Sequence, residues 1–304
     1  MKSTDTKLAD EVLIAARPGG ATENNGTSLK IVRRPQYGRW MTDIALVLLV
    51  AGIAWSAINN PRFQWDVVFK YLTNANILRG LLVTLELTVI AVTLGIVLGI
   101  FLALLMLSRD VWLKAFAALY IWLFRGTPLL VQLIFWFNIS ALYPEISISI
   151  PGGPTLVSFS GNSITPFMAA VIGLTLHEAA YMAEIVRGGV LSVGHGQNEA
   201  AMALGMTRLQ AFRRITLPQA LRAIVPATGN QVIMMLKTTS LVSVIALPEL
   251  LYSAQIIYSR TFEIIPLLVV ASCWYLFMCT LLSIGQHYLE RWFGRGFQKS
   301  FATF

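Results

Sequence analysis

Apolar residues run along this chain in long unbroken stretches rather than in the alternating or amphipathic patterns of a soluble fold. Six stretches approach or reach the roughly 20 residues a helix needs to cross a bilayer core of about 30 Å. They cover about 41–58, 80–107, 117–142, 166–186, 227–250 and 264–286. The pattern predicts an all-α integral membrane protein with six spanning helices. The first is the shortest and ends sharply at Asn59-Asn60-Pro61. Ahead of it, residues 1–40 are polar, mixed in charge and without periodicity, and read as a disordered tail. The first apolar run begins only at Ile44, which does not fit a secretory signal peptide.

Composition turns the pattern into a class. Hydrophobic residues make up 56% of the 304 positions and charged residues 12%, about half the usual charged share. The mean hydropathy is +0.67. Twelve of the 38 charged residues fall within the first 43 positions, so the rest of the chain has too few to cover a soluble surface. The net charge of +8 is no sign of a nucleic-acid partner, because the basic residues flank apolar runs instead of clustering on a module. The tail and every second connection hold 17 Lys and Arg against four in the alternate connections, Arg62, Lys70, Arg79 and Arg260. That asymmetry predicts both termini in the cytoplasm and an extracytoplasmic connection at 144–165. Cys273 and Cys279 share one apolar segment at a spacing that suits neither a metal nor a disulfide, and read as lipid-facing or packing residues.

Two connections have content of their own. Trp65, Phe69 and Tyr71 suit a short interfacial helix within 59–79. The long cytoplasmic connection 187–226 reads as helix, turn, helix. Glu199 to Leu204 favour a helix, Gly205 can end it in the left-handed conformation, and Thr207 with Gln210 can form a capping box for the next. Pro218 then blocks continuation or opens a further helix at its first turn. Met202, Leu204, Met206, Leu209 and Phe212 give this loop an apolar surface. Such a knob lies on the membrane or its own helices, or it fills a partner's groove.

The order of residues in that loop is distinctive: Glu199-Ala200-Ala201, three residues, Gly205, nine residues, Ile215, one residue, Leu217-Pro218. It resembles the EAA loop of permease subunits in bacterial binding-protein-dependent ABC importers. FRGTPLLVQL at 124–133, HEAAYMAEIVRGGVLSV at 177–193, GQNEAAMALG at 196–205, LPQALRAIVPATGNQ at 217–231 and LKTTSLVSVIALPEL at 236–250 are similar to the polar amino acid branch, of histidine, arginine, glutamine and opine type. The likeness covers roughly 78–290. It implies a type I importer permease domain of five helices at 78–290, with a coupling loop at 194–222 that docks on the ATPase subunit. Residues 41–58 then form an additional N-terminal transmembrane helix, and 291–304 a cytoplasmic C-terminal tail. It further implies a bacterial inner membrane location, two copies of a cytoplasmic ATP-binding subunit, a second permease (identical or paralogous) and an extracytoplasmic amino acid-binding protein, with membrane lipid around the whole. ATP and magnesium would be bound by the partner and no cofactor by this chain.

No phosphate-binding loop, no H-E-x-x-H (position 181 is Tyr) and no nucleophile elbow occurs, so no catalytic or metal residues are assigned. Ionisable residues at membrane depth are functional candidates by default. Glu86, Glu178 and Lys237 are candidates for the substrate pathway, and Arg125, Glu184 and Arg187 for a gate. Each also has a structural reading: Glu86 paired with Arg79, Glu178 in a helix–helix bond, Lys237 paired with Glu178 or Glu184, and Arg125 satisfying carbonyls freed by Pro128. Glu184 and Arg187 suit a surface pair, and His177 a packing residue. Gly95 and Gly99 form a G-x-x-x-G that favours close helix packing. A channel or scaffold that needs no ATP, or an ABC permease for another small solute, is the alternative.

Overall fold

A computed structural model describes residues 37–149 and 155–293. The tail expected at 1–40 therefore lies almost wholly outside the described residues, as does the end of the C-terminal tail. The chain divides into two units, Met1–Ser56 and Ala57–Phe304. The first is represented by helix α1 (Tyr37–Asn59). Every residue from Trp40 to Ser56 is exposed, and those between Ile44 and Ile53 are nearly all apolar, as on a helix whose surroundings are lipid.

In the second unit, Asn60 caps a 3₁₀ turn (Pro61–Phe63), and α2 (Trp65–Leu72) follows as a short helix within the connection 59–79. Asn74 caps α3 (Ala75–Leu107), its Oδ1 accepting from the Asn76 N–H at 2.9 Å. At a rise of 1.5 Å per residue, α3 is about 50 Å long and exceeds a bilayer core. Asp110 caps α4 (Val111–Gly126), accepting from the Trp112 and Leu113 N–H groups.

The stretch expected to form one helix over 117–142 is broken. The chain leaves α4, passes through extended Thr127 and re-enters α5 (Leu129–Phe137) at 100°. Pro128 is the cause, because it offers no N–H and forces the residue before it out of the helical region. Arg125 does not satisfy the freed carbonyls, as the sequence had suggested. The buried amide of Gln132 does: its Nε2 donates to the carbonyls of Phe124 (3.0 Å) and Thr127 (3.1 Å) and to Thr127 Oγ1 (2.8 Å). Gln132→Leu is therefore expected to cost about 1–3 kcal/mol, the penalty for stranding buried carbonyls. Thermal unfolding of the purified chain in detergent measures it, and an unchanged midpoint would refute the assignment.

Among the described residues, the connection 144–165 adds the one departure from an all-α fold. Strands β1 (Glu145–Ser149) and β2 (Thr155–Ser160) pair antiparallel, with Glu145 opposite Ser160. The span α6 (Pro166–Leu191) starts from a Thr165 cap, with Oγ1 accepting from the Met168 N–H. Two short helices, α7 (His195–Ala203) and α8 (Arg208–Ala211), lead through a π-helical turn at Phe212–Thr216 into α9 (Leu217–Thr238). Helix α9 continues as a 3₁₀ segment to Ile245, and α10 (Leu250–Thr261) leaves at 45° from it. Ala246 turns the corner with φ 57°, just before Pro248. The expected segment 227–250 is thus the middle of a longer, bent span. Helix α11 (Ile264–Phe293) completes the fold.

Among the described residues, four helices are long and apolar enough to cross a membrane, and the two bent pairs raise the number to six. Two buried clusters share α3. One joins Leu87 and Val92 to Leu133, Leu174, Met235 and Ile245. The other joins Ile77 and Leu81 to Val68, Leu250, Leu267 and Val270. Both cysteines are free, and Cys273 is exposed on the apolar outer face.

Candidate functional site

The loop between α6 and α9 is built by local signals. Helix α7 closes with a Schellman motif: the Gly205 N–H donates to the Met202 carbonyl (3.0 Å) and the Met206 N–H to that of Ala201 (3.1 Å). Gly205 carries the required φ of 76°. The capping box also forms, with Thr207 Oγ1 accepting from the Gln210 N–H and Gln210 Oε1 accepting from the Thr207 N–H. Pro218 sits in the first turn of α9, the position its ring geometry suits. No break separates α8 from α9, because the π turn carries the chain across.

These constraints decide which motif residues face outward. Glu199, Ala200, Gly205 and Pro218 are exposed, Ile215 and Leu217 half-buried, and Ala201 buried. Met202, Leu204 and Leu209 add exposed apolar surface. Two side-chain bonds fasten the knob to the foot of α9: Thr216 Oγ1 donates to Asn198 Oδ1 at 2.8 Å, and Gln219 Nε2 to Gln197 Oε1 at 3.4 Å.

Within the spans the charged residues separate by environment. Glu178 is 0% exposed. Its partner is not Lys237 but neutral Gln231 of α9, whose Nε2 donates to Oε2 at 3.0 Å. Its Cβ and Cγ lie directly against Gly95 of α3, and Met182 fills the space over Gly99. The expected G-x-x-x-G contact thus forms the seam between α3 and α6, and Glu178 ties that seam to α9. Lys237 and Glu86 are exposed, as is Arg79. Among the described residues the one ion pair joins Arg187 to Glu184 at 2.8 Å. The Glu86–Arg79 and Lys237–glutamate pairs are therefore absent. Thr238, Thr239 and Ser240 bond back to carbonyls of their own helix, as their spacing suggests. Arg125 lies over the Tyr181 ring, 5.2 Å from its centroid, and Tyr181 packs in turn on His177.

One buried carboxylate escaped the sequence reading. Glu249, 0% exposed, caps α10 and joins three helices. Its Oε1 accepts from the Tyr252 N–H at 2.8 Å. Its Oε2 accepts from the hydroxyls of Tyr275 on α11 (2.8 Å) and Thr84 on α3 (3.3 Å). Thr84 Oγ1 accepts in turn from the Leu250 N–H at 3.1 Å. The available signal was Pro248-Glu249 at a segment boundary, which marks a cap position.

Residues 95–295 match the family described as the binding-protein-dependent transport system inner membrane component. The arginine transport system permease protein ArgU of Corynebacterium glutamicum is 44% identical over 282 residues, 92% of this chain and 87% of that protein. An alignment of that length must include α1. The octopine transport system permease protein OccM of Rhizobium radiobacter is 40% identical over 220 residues, 70% of this chain and 84% of its own. Among solved structures, an amino acid ABC transporter crystallised with histidines is 37% identical, with a TM-score of 0.63 over 75% of this chain and 97% of its own. The inward-facing MetNI methionine ABC transporter, at 21% identity and a TM-score of 0.55, shares the fold. This chain belongs to the family of inner membrane components of binding-protein-dependent transport systems, which work with ATP-binding and substrate-binding partners.

Proposed function

We propose that this chain is the permease subunit of an ATP-driven importer that moves a polar amino acid across the inner membrane by alternating access. The observation that carries the proposal is the outward-facing knob around Glu199, held rigid by its caps and bonded to the foot of α9. Energy comes from two copies of a cytoplasmic ATP-binding subunit, which bind ATP and magnesium, because this chain has no phosphate-binding loop of its own. A second permease, identical or paralogous, completes the pathway, and an extracytoplasmic binding protein delivers the substrate. Both termini face the cytoplasm, in keeping with the distribution of Lys and Arg. The favoured substrates are cationic amino acids, since the arginine permease aligns along 92% of the chain. Exposed Glu86 offers a carboxylate to their side chains.

Closure of the ATP-binding pair around nucleotide pushes on α7. The push passes through Thr216 into α9 and, by the Gln231–Glu178 bond, to the α3–α6 seam. Glu184 and Arg187, near the cytoplasmic end of α6, and Arg125, at the far end of α4, act as gate residues. Differential binding of a few kcal/mol between the two states is enough to drive such a switch.

Glu199→Lys and Gly205→Asp are expected to leave membrane insertion intact and to abolish uptake. The first reverses charge on an exposed face. The second imposes a side chain at φ 76°, a strain of about 1–3 kcal/mol on the turn itself. Labelled arginine uptake and ATPase co-purification are the measurements. Normal uptake by both variants would remove the coupling role. Uptake that persists without any ATPase would leave a channel.

A further inference from the structure

A cavity of about 390 Å³ opens beside the knob, between α7, the π turn and the α3–α4 connection. One water occupies about 30 Å³ in the liquid, so this volume suits a small headgroup. Arg109, in the α3–α4 connection, and Arg208, the first residue of α8, both line it. They are separated by 99 positions in sequence, and folding brings the two residues to the wall of one cavity. No acidic residue lines the cavity, and neither arginine side chain has an ion-pair or hydrogen-bond partner among the described residues. Asn198 and Thr216, the other polar lining groups, are already bonded to each other. Met202 and Phe212 supply an apolar wall. Two unpaired cations over an apolar wall, at the end of a spanning helix, match a molecule that is anionic at one end and apolar at the other.

We propose that this cavity binds the phosphate-bearing headgroup of an anionic phospholipid from the leaflet nearest the knob. The phosphate bridges Arg109 and Arg208, and the glycerol and first acyl carbons lie on Met202 and Phe212. The lipid then buttresses the knob from behind and makes coupling sensitive to membrane composition.

Native mass spectrometry of the full chain, purified in mild detergent with its ATP-binding subunit, in the presence of equimolar phosphatidylglycerol and phosphatidylcholine, tests this. The wild type is expected to retain phosphatidylglycerol about tenfold over phosphatidylcholine, and Arg109→Gln/Arg208→Gln to lose that preference. Lys114→Gln, an exposed cation outside the cavity, should keep it. An equal preference in wild type and double variant would overturn the proposal. So would displacement of the lipid by millimolar inorganic phosphate, which would assign the pair to a free anion. Loss of the ATP-binding subunit from the double variant, with lipid retention unchanged, would assign the arginines to protein docking instead. All three readouts are independent of uptake, so they stand apart from the test of the transport role.

Discussion

Gly95→Leu is expected to prevent the chain from reaching its folded state. A Cβ at position 95 would lie 2.5 Å from Glu178 Cγ and 2.8 Å from its Cβ, and neither atom is the free end of a flexible side chain. The remaining leucine atoms have to enter the same seam, so α3 and α6 must separate. Overpacking of this kind costs about 3 kcal/mol. Here it also pulls Glu178 away from Gln231 and strands a carboxylate at membrane depth. Size-exclusion chromatography of a fluorescent fusion should show an aggregated or absent peak. Gly52→Leu on α1 is the control, since nothing lies within 4 Å of that position, and it should run as wild type. A monodisperse, thermally unchanged Gly95→Leu would mean that the seam is not a structural element.

The second large effect concerns Glu249. Its carboxylate accepts from three donors at once. Glu249→Ala leaves the Tyr275 and Thr84 hydroxyls and the Tyr252 N–H in an apolar interior, at about 1–3 kcal/mol for each stranded donor. A thermal midpoint lowered by many degrees is expected. Tyr275→Phe removes one donor and leaves the rest satisfied, so its loss should be near 1 kcal/mol. Glu249→Gln keeps acceptor oxygen in place and should fall between the two. Equal midpoints for Ala and Gln would show that volume, not hydrogen bonding, holds this junction. Removal of Glu249 also frees the corner at Ala246, so α10 should lose its fixed 45° relation to α9.

What the sequence revealed divides along the range of the interactions involved. The knob was legible almost residue by residue, because Gly205, Thr207, Gln210 and Pro218 act on neighbours three or four positions away. The spans were legible as lengths of apolar chain. Their breaks were not: Pro128 announced an interruption, but the 100° angle depends on where α5 finds its core in Leu129 and Leu133. The hairpin was written in the alternation of Ile146, Ile148 and Ile150 ahead of Pro151-Gly152-Gly153-Pro154, a signal overlooked beside much louder apolar runs. Charge partners were the least readable. Opposite signs invited pairing of Lys237 with Glu178, yet a neutral amide from α9 occupies that carboxylate. Which side chain meets which across helices is decided by packing, and packing is not local.

The bond from Thr216 to Asn198 has a mechanical meaning. It joins the knob to the foot of a rod about 33 Å long, the 22 residues of α9 at 1.5 Å each. A rod of that length converts rotation at one end into travel at the other, roughly 0.6 Å per degree. Ten degrees of tilt at the foot sweeps the exposed ammonium-bearing end at Lys237 through about one helical turn. A small displacement at the knob would thus become a large one at the Lys237 end, with the gain set by the length of the helix.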